Sequence, residues 1–272
     1  MFQRSFIKWV GGKYRSLSQL LRLFPAEFNT YYEPFLGSGV VYFNLAPSEG
    51  VLNDAENNLV TTFRSVKHDV EGVCNQLELL DNTEEAYYDT RYDFNNTAQI
   101  MSGKRAAQFI YMNKCGYNGL YRVNSRGFVN VAFGKRSGEP HKDFEAIRTC
   151  SKLLQAASVM NTDYQEIIKL ARCGDFVYLD PPYHKESDVS FTGYNAKEFS
   201  ESDHRQLAEE CKALSSRGVL FALSNSNTPF VNDLYKNFYK YSVYTAKTVS
   251  RLTSGRGPST DVLITNYDAE KR

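Results

Sequence analysis

A carboxylate, two prolines and an aromatic ring follow one another in the segment Asp180-Pro181-Pro182-Tyr183. The run Phe176–Leu179 that precedes it is apolar and aromatic, which is typical of a buried strand. Because two consecutive prolines cannot continue a sheet, the chain must leave the sheet at the acid. The carboxyl ends of strands are where open α/β sheets bind ligands. We therefore predict that these four residues form a catalytic turn; a proline-rich turn with a capping Asp is the structural alternative.

Two earlier segments have the order of a nucleotide-binding βαβ unit. Residues 31–39 predict a strand, a glycine turn and the start of a helix, and residues 51–54 predict a second strand that ends in an acid. Glycines in such a turn let the backbone approach a ligand, and the later acid can hold ribose hydroxyls. The motif Gly37-Ser38-Gly39 lacks the third glycine of the dinucleotide signature, so a packing turn is an equal alternative for this stretch alone.

Apolar periodicity predicts further strands and helices on both sides of a long central region. Strand patterns occur at 158–160, 176–179, 219–223, 241–244 and 262–264. Helix patterns occur at 17–24, 164–170, 201–214 and from 229 onwards. Between about 56 and 155 the pattern is mainly helical. Alternating strands and helices predict an α/β fold with a mostly parallel sheet, interrupted by a helical insertion.

The central region also contains a predicted β-hairpin. Two alternating segments, 120–124 and 128–132, flank a turn that ends in Gly127. The hairpin carries four candidate base-reading side chains: Arg122, Asn124, Arg126 and Asn130. A two-stranded ribbon fits the DNA major groove, where Arg recognises guanine and Asn recognises adenine. An ordinary exposed hairpin with polar faces is the alternative.

The net charge of +1 conceals an uneven distribution of basic residues. Three stretches without any acid, at 1–26, 94–138 and 234–260, hold 17 of the 32 basic residues. If these stretches converge in the fold, the protein acquires one basic face, which is typical of a nucleic-acid-binding protein. The alternative is three solvated stretches that point in different directions.

Composition limits the class of protein. The chain has 272 residues, 42% of them hydrophobic and 23% charged, which indicates one large globular domain or a domain with an insertion. No apolar run is long enough to span a bilayer, and the N-terminus lacks the pattern of a signal peptide. The five cysteines and four histidines are scattered without metal-ligand or disulfide spacing, which favours a reducing cytosol and no metal.

Several motifs occur in a fixed order: residues 8–13 (KWVGGK), residues 33–39 (EPFLGSG), Asn53-Asp54 and the Asp-Pro-Pro-Tyr turn. With residues 117–124 (YNGLYRVN) and Phe133-Gly134, they make the chain resemble DNA adenine-N6 methyltransferases of the Dam type, the α group of the D12 class. The resemblance extends from about residue 6 to residue 267. One departure is Ala132, where a proline is expected, and it concerns the detail of the hairpin.

The resemblance implies transfer of a methyl group from S-adenosylmethionine to N6 of adenine in double-stranded DNA, within GATC and by base flipping. It implies a Rossmann-like catalytic domain formed by residues 1–56 and 145–272. A mainly helical target-recognition domain would span residues 57–144, with the hairpin near 118–134. The expected location is the cytoplasm of a bacterial or phage-infected cell. The expected state is a monomer or weak dimer, with no metal and no membrane contact.

The resemblance and the basic hairpin together assign roles to individual positions. Cofactor contacts are expected at Trp9, Lys13, Glu33, Phe35, Gly37, Ser38, Gly39, Asp54, Asp163, Tyr164 and Asp180. DNA contacts are expected at Lys8, Tyr117, Asn118, Leu120, Arg122, Asn124, Arg126 and Lys135. By resemblance, Lys8 and Arg122 recognise guanines and Leu120 contacts a thymine.

Three other functions are compatible with parts of the sequence. The same cofactor could serve methylation of cytosine N4 or of a protein glutamine amide, although such enzymes commonly carry Ser or Asn in place of Asp180. The glycine motif would suit a nicotinamide oxidoreductase, which leaves the catalytic turn and basic hairpin unexplained. A DNA-binding protein with an inherited but silent catalytic turn is the third alternative.

Overall fold

A computed structural model of the chain describes residues 2–98, 100–185, 199–245 and 259–271. Seven strands lie in these ranges: β1 (Tyr31–Glu33), β2 (Gly50–Asn53), β3 (Ala157–Met160), β4 (Phe176–Leu179), β5 (Leu220–Ser226), β6 (Tyr239–Thr245) and β7 (Ser259–Thr265). They form one sheet in the order β3-β2-β1-β4-β5-β7-β6. The first five strands in this order are parallel, and β7 is antiparallel to both of its neighbours. The predicted α/β class and mostly parallel, Rossmann-like sheet are confirmed.

Ten α-helices occur in the described part of the chain: α1 (Leu17–Leu23), α2 (Val40–Leu45), α3 (Asn57–His68), α4 (Val70–Glu78), α5 (Glu84–Asn96), α6 (Gly103–Cys115), α7 (Phe144–Leu154), α8 (Tyr164–Leu170), α9 (Glu201–Ser216) and α10 (Pro229–Leu234). Within the mainly helical region 56–155, apolar spacing predicts helices at 59–66, 70–77 and 106–110, which are α3, α4 and α6, but not α5 or α7. In α5 the buried positions are only Tyr87, Thr90 and Phe94, so polar residues dominate its sequence and the apolar pattern is weak.

Strand β4 lies at the centre of the sheet and is buried on both faces. Its side chains alternate between two apolar clusters, with Phe176 and Tyr178 in one and Val177 and Leu179 in the other. The first cluster also contains buried residues of α3, α4, α6 and α7, so the helical segment shares a continuous core with the sheet. The second cluster contains buried residues of α8, α9 and α10. Helices therefore cover both faces of the sheet, as a parallel sheet requires.

The strand order creates a crevice at one edge of the sheet. From β1 the chain proceeds outwards to β2 and then β3, and it returns to β4 on the opposite side of β1. Such a reversal between β1 and β4 is the topological switch point at which open α/β sheets bind ligands. The last residues of the parallel strands, among them Glu33, Asn53 and Leu179, all lie at this edge.

The predicted hairpin is present, but its two arms pair only locally. The backbone N–H of Asn124 donates to Phe128, and that of Asn130 donates to Arg122, around an isolated bridge between Val123 and Val129. A residue of α5 holds the hairpin in place. The Asn95 side chain accepts from the N–H of Val129 at 2.8 Å and donates to the Val129 C=O at 3.0 Å. Contacts with α5 thus replace most of the expected strand pairing.

Candidate active site and nucleic-acid interface

The acid that follows β4 is paired with a lysine from the N-terminal motif. Lys13 Nζ lies 2.6 Å from Asp180 Oδ2 and also donates to the Gly11 carbonyl at 2.7 Å. Burial raises the pKa of Asp180, and the Lys13 ammonium opposes that shift. The second carboxylate oxygen, Oδ1, is buried, and the described residues give it no hydrogen-bond partner. A buried acceptor without a partner is costly unless a ligand supplies the donor.

The Tyr183 ring, which ends the Asp-Pro-Pro-Tyr turn, has contacts on two sides. Lys13 Nζ lies 4.8 Å from the centroid of the Tyr183 ring. The Tyr183 phenol is hydrogen-bonded to the side chain of Ser224, whose Oγ lies 2.9 Å from the hydroxyl of buried Tyr178. On the other side of β5, Asn225 Oδ1 accepts from the His184 N–H at 3.1 Å. The end of β5 therefore anchors the turn, a role that the sequence analysis did not assign; the available signal was a polar run that ends an apolar strand.

The glycine loop after β1 packs closely against side chains of the protein, as the alternative of a packing turn describes, and its approach to a ligand stays a prediction. Gly37 has a φ of +51°, and a Cβ at this position would lie 3.0 Å from Cδ1 of Trp9. Its N–H donates to Asp54 Oδ2 at 2.9 Å, which joins the ends of β1 and β2. Gly39 has a φ of +68°, and a Cβ there would lie 3.0 Å from the Phe63 ring. Only glycine satisfies both the positive φ and the contact distance at these positions.

Three predicted cofactor residues already make contacts within the protein. Glu33 is 2% exposed, and its carboxyl accepts from the Tyr31 hydroxyl at 3.0 Å. Burial raises the pKa of Glu33 well above its usual range, and its carboxyl is hydrogen-bonded within β1 itself. Asp163 caps α8 by accepting from the N–H of Gln165. Ser38 is buried, and its carbonyl accepts from the Ser5 hydroxyl.

Aromatic rings gather beside the ends of β1 and β3. The Phe35 and Tyr164 rings lie 5.0 Å apart at 32°, and Phe199 lies 6.1 Å from each of them. Both predicted residues, Phe35 and Tyr164, are thus brought together. Phe199 was missed because no local pattern marks it, and only the fold places it in this group.

The chemistry of these residues fits S-adenosylmethionine. The carboxylate of Asp180 suits a cofactor that carries a positive charge, and the aromatic group suits the planar adenine ring of that cofactor. Asp54 accepts from Gly37 and Glu56, yet a carboxylate has lone-pair sites for further donors such as ribose hydroxyls. Among the residues that the structure describes, no group of three or more His, Cys, Asp or Glu could hold a metal ion. In the same ranges, no helix has the length and apolar character needed to cross a bilayer.

The N-terminal motif at residues 8–13 is in direct contact with the segment at residues 117–124. The Trp9 ring stacks on Tyr121 with centroids 5.6 Å apart and planes at 21°. The Tyr121 hydroxyl in turn contacts Asn58 and Glu56 at the start of α3. A side chain from the N-terminal motif is therefore packed against the segment that carries the candidate base readers.

Most of the predicted DNA contacts are exposed near this junction. Tyr117 is 57% exposed and Leu120 is 38% exposed, and the residues between them form a single turn. Arg122 is exposed, and its Nε donates to Asn130 Oδ1 at 2.8 Å across the hairpin. The Oδ1 of Asn124 accepts from two backbone N–H groups of its own turn, and a DNA contact at this position stays a prediction. Three further predicted contacts are also exposed: Asn118, Arg126 and Lys135.

The acid-free stretches contact one another. Lys8 from the first stretch has a lowered pKa because of burial and of Arg136 from the second stretch. Gln19 from the first stretch makes two hydrogen bonds, at 3.0 and 3.1 Å, with the backbone of Tyr244 from the third stretch. Three basic residues of the third stretch lie outside the described residues: Lys247, Arg251 and Arg256.

Lys114, also in the second stretch, provides a prediction about stability. Burial, followed by the charge of Lys8, lowers the pKa of Lys114 to about 8 from 10.5. Between these values the unfolded chain binds more protons, so stability should rise with pH. We expect Lys114→Met to be more stable than wild type at pH 7 by about 1–2 kcal/mol, and the difference to narrow as the pH rises through this window.

Urea unfolding at a series of pH values measures that difference. Lys152→Met provides a matched control, because Lys152 is exposed on α7 and its removal should not change the pH dependence. A gap between Lys114→Met and wild type that is constant with pH would contradict the assignment to Lys114.

Comparison with known proteins identifies the family of this chain. Residues 9–251 match the family of D12 class N6 adenine-specific DNA methyltransferases. The chain is 38% identical to the Type II methyltransferase M1.LlaDCHI of Lactococcus lactis subsp. cremoris, over 97% of this chain and 95% of that one. It is 33% identical to the Type II methyltransferase M.MjaIII of Methanocaldococcus jannaschii, over 97% and 99%. It is 32% identical to the DNA adenine methylase of Haemophilus influenzae, over 85% and 82%. This chain belongs to the D12 class of N6 adenine-specific DNA methyltransferases.

Proposed function

We propose that this enzyme uses S-adenosylmethionine to methylate N6 of adenine within GATC in double-stranded DNA of a bacterial or phage-infected cell. Adenine N6 is the acceptor that the family acts on. The observation that carries the mechanism is the Asp180 carboxylate at the switch point, paired through one oxygen and unpartnered at the other. The GATC preference is supported by the Dam-type resemblance of the recognition segment.

The reaction requires a nucleophilic nitrogen. S-adenosylmethionine supplies an electrophilic methyl group, whereas the lone pair of the adenine amino group is delocalised into its ring. Asp180 Oδ1 and the Pro181 carbonyl can accept hydrogen bonds from that amino group, which favours a tetrahedral nitrogen with a localised lone pair. The rigid Pro181-Pro182 step and the ion pair to Lys13 fix these acceptors before the substrate arrives, which is electrostatic preorganisation.

The target adenine must leave the duplex to reach these acceptors. Base flipping costs a few kcal/mol, and stacking on an aromatic ring returns about 1–3 kcal/mol per base. We assign the stacking surface to Tyr183, whose ring is held by Ser224 and Lys13. A ring fixed in advance loses little entropy when the base arrives.

We further propose that residues 1–56 and 145–272 form the catalytic part and that residues 57–144 recognise the target sequence. The stacking of Trp9 on Tyr121 supports this arrangement, because it holds the hairpin segment, which carries the exposed arginines, against the N-terminal motif. In this arrangement Arg122 and Lys8 recognise guanines, while other basic side chains contact phosphates.

Methyl transfer to defined duplexes tests the proposal. The enzyme is incubated with labelled S-adenosylmethionine and with a duplex that contains one GATC, and a matched duplex has that adenine replaced by another base. We expect label in the first duplex only. Equal label in both would contradict adenine N6 as the acceptor at this site. Label in adenines of other sequences would retain the chemistry and reject GATC.

A further inference from the structure

The buried amide of Asn113 connects two segments that carry proposed DNA contacts. Asn113 lies near the end of α6 and is 3% exposed. Its Oδ1 accepts from the backbone N–H of Lys8 at 2.7 Å, and its Nδ2 donates to the Lys8 carbonyl at 2.8 Å. The same Nδ2 donates to the carbonyl of Gly119 at 3.1 Å. One side chain therefore joins the N-terminal motif to the turn after α6.

A second contact, between Gly119 and the side chain of Lys8, holds the same two segments together. Gly119 has a φ of +68°, and a Cβ at this position would lie 2.6 Å from Cδ of Lys8. The aliphatic part of Lys8 thus lies directly against the backbone of the turn. This turn exposes Tyr117 and Leu120, on either side of Gly119.

We propose that Asn113 is a positioning residue for sequence recognition, which sets the position of Lys8 relative to the turn that carries Tyr117 and Leu120. The inference rests on the proposed function, in which Lys8 and this turn contact bases of the same site. Asn113 itself is buried and acts through the two segments that it joins. Recognition of neighbouring bases requires their readers at a fixed spacing, because hydrogen bonds weaken steeply with distance and angle.

The chemistry of the amide explains why this position suits asparagine. The backbone of Lys8 presents one donor and one acceptor, and an amide side chain supplies the matching acceptor and donor. A carboxylate at the same position keeps the acceptor but loses the donor, so it would face the carbonyl oxygens of Lys8 and Gly119. Asn113→Asp is therefore a small change in shape with a large change in bonding.

The fold offers a matched control in Asn266. Its Oδ1 accepts from the Phe221 N–H at 2.9 Å, and its Nδ2 donates to the Val219 carbonyl at 2.8 Å. These contacts lie at the start of β5, at the edge of the sheet opposite to the catalytic turn. Asn266→Asp removes the same kind of bonds and should lower stability without touching the recognition segments.

The readout is a selectivity ratio measured on the full-length protein. The ratio compares kcat/KM for the duplex that wild type methylates best with kcat/KM for duplexes that differ by one base pair within the site. We expect Asn113→Asp to lower this ratio about fivefold, because a sub-ångström displacement of the readers weakens cognate contacts most. Asn266→Asp should lower the melting temperature and leave the ratio unchanged.

The outcomes distinguish failure of the positioning role of Asn113 from failure of the proposed function. An unchanged ratio in Asn113→Asp, or an equal loss in Asn266→Asp, overturns the positioning role. If Asn113→Asp does not fold, Gly119→Ala takes its place, since its Cβ displaces Lys8, and an unchanged ratio there overturns the inference as well. A lower ratio in Lys8→Met with no change in Asn113→Asp rejects the inference alone. A wild-type protein that transfers no methyl group to adenine in DNA rejects the proposed function itself.

Discussion

Replacing Asp180 by alanine is expected to lower kcat for methyl transfer by about 10³-fold or more, with DNA affinity within about threefold of wild type. The substitution removes the buried Oδ1 acceptor and also leaves Lys13 without its anionic partner. The DNA contacts proposed for the hairpin lie on other segments and are retained. Single-turnover methyl transfer and a DNA-binding titration measure the two quantities separately. Near-normal turnover in Asp180→Ala would reject the mechanism.

Asp175 provides the matched control for this experiment. It is a buried carboxylate at the opposite end of β4, where it accepts from the N–H groups of Thr30 and Arg172. Asp175→Asn should lower stability and leave kcat per folded molecule close to wild type. A loss of turnover as large as that in Asp180→Ala would indicate that any damage to β4 abolishes activity.

The acidic limit of activity should also report on Asp180. Burial raises the pKa of this carboxyl above its usual 3.8, even though the Lys13 ammonium lowers it. The ionised form is the one that accepts hydrogen bonds from the amino group, so activity is lost as the pH falls through the raised pKa. We expect kcat/KM to decline about tenfold per pH unit below a midpoint that lies above 3.8. A midpoint at or below that value would contradict the ionised carboxylate as the active form.

Replacing Arg122 by alanine is expected to reduce discrimination by about 1–3 kcal/mol at one base pair of the site. Arg122 is oriented by Asn130 through Nε, which leaves guanidinium donors available for the O6 and N7 acceptors of a guanine. The measurement compares kcat/KM for the cognate duplex with that for each single-base-pair variant. Unchanged discrimination at every position would reject the assignment of Arg122.

Arg126 allows a comparison within the same hairpin. It is exposed at the turn, where its backbone N–H donates to Asn124 Oδ1. The hairpin pattern made it a candidate base reader, and we propose instead that its side chain contacts phosphate, as in the arrangement above where only Lys8 and Arg122 recognise guanines. Arg126→Ala should weaken binding to all duplexes alike and reduce the salt dependence of log Kd by about one unit. A change in base preference in Arg126→Ala would contradict the assignment of Arg126 to phosphate.

Local chemistry made the end of strand β4 at the Asp-Pro-Pro-Tyr turn predictable. Two prolines after the apolar run Phe176–Leu179 end a strand wherever they occur, since proline lacks the N–H that a sheet requires. The α/β class followed from the alternation of two apolar periods along the chain. The hairpin was found for the same reason, although its arms pair less than the pattern of alternating residues indicated.

Other features depended on contacts between distant residues. Helix α5 was missed because its stability comes from three buried side chains that pack on α6 and the hairpin rather than from its own pattern. The roles of Ser224 and Asn113 were equally invisible, since each forms hydrogen bonds with residues that are remote in sequence or lie in another element. The turn-closing role of the Asn124 Oδ1 was likewise not assigned from the sequence, which predicted only a DNA contact for this residue.

The sequence by itself determined the sheet, the acid at the end of β4 and the family motifs, because proline geometry and apolar periodicity act between neighbouring residues. The tertiary structure decided which side chains meet. It paired Asp180 with Lys13, connected Tyr183 to β5 and joined Lys8 to the turn after α6. These contacts arise only when packing brings separate elements within hydrogen-bond distance, and no pattern along the chain specifies that distance.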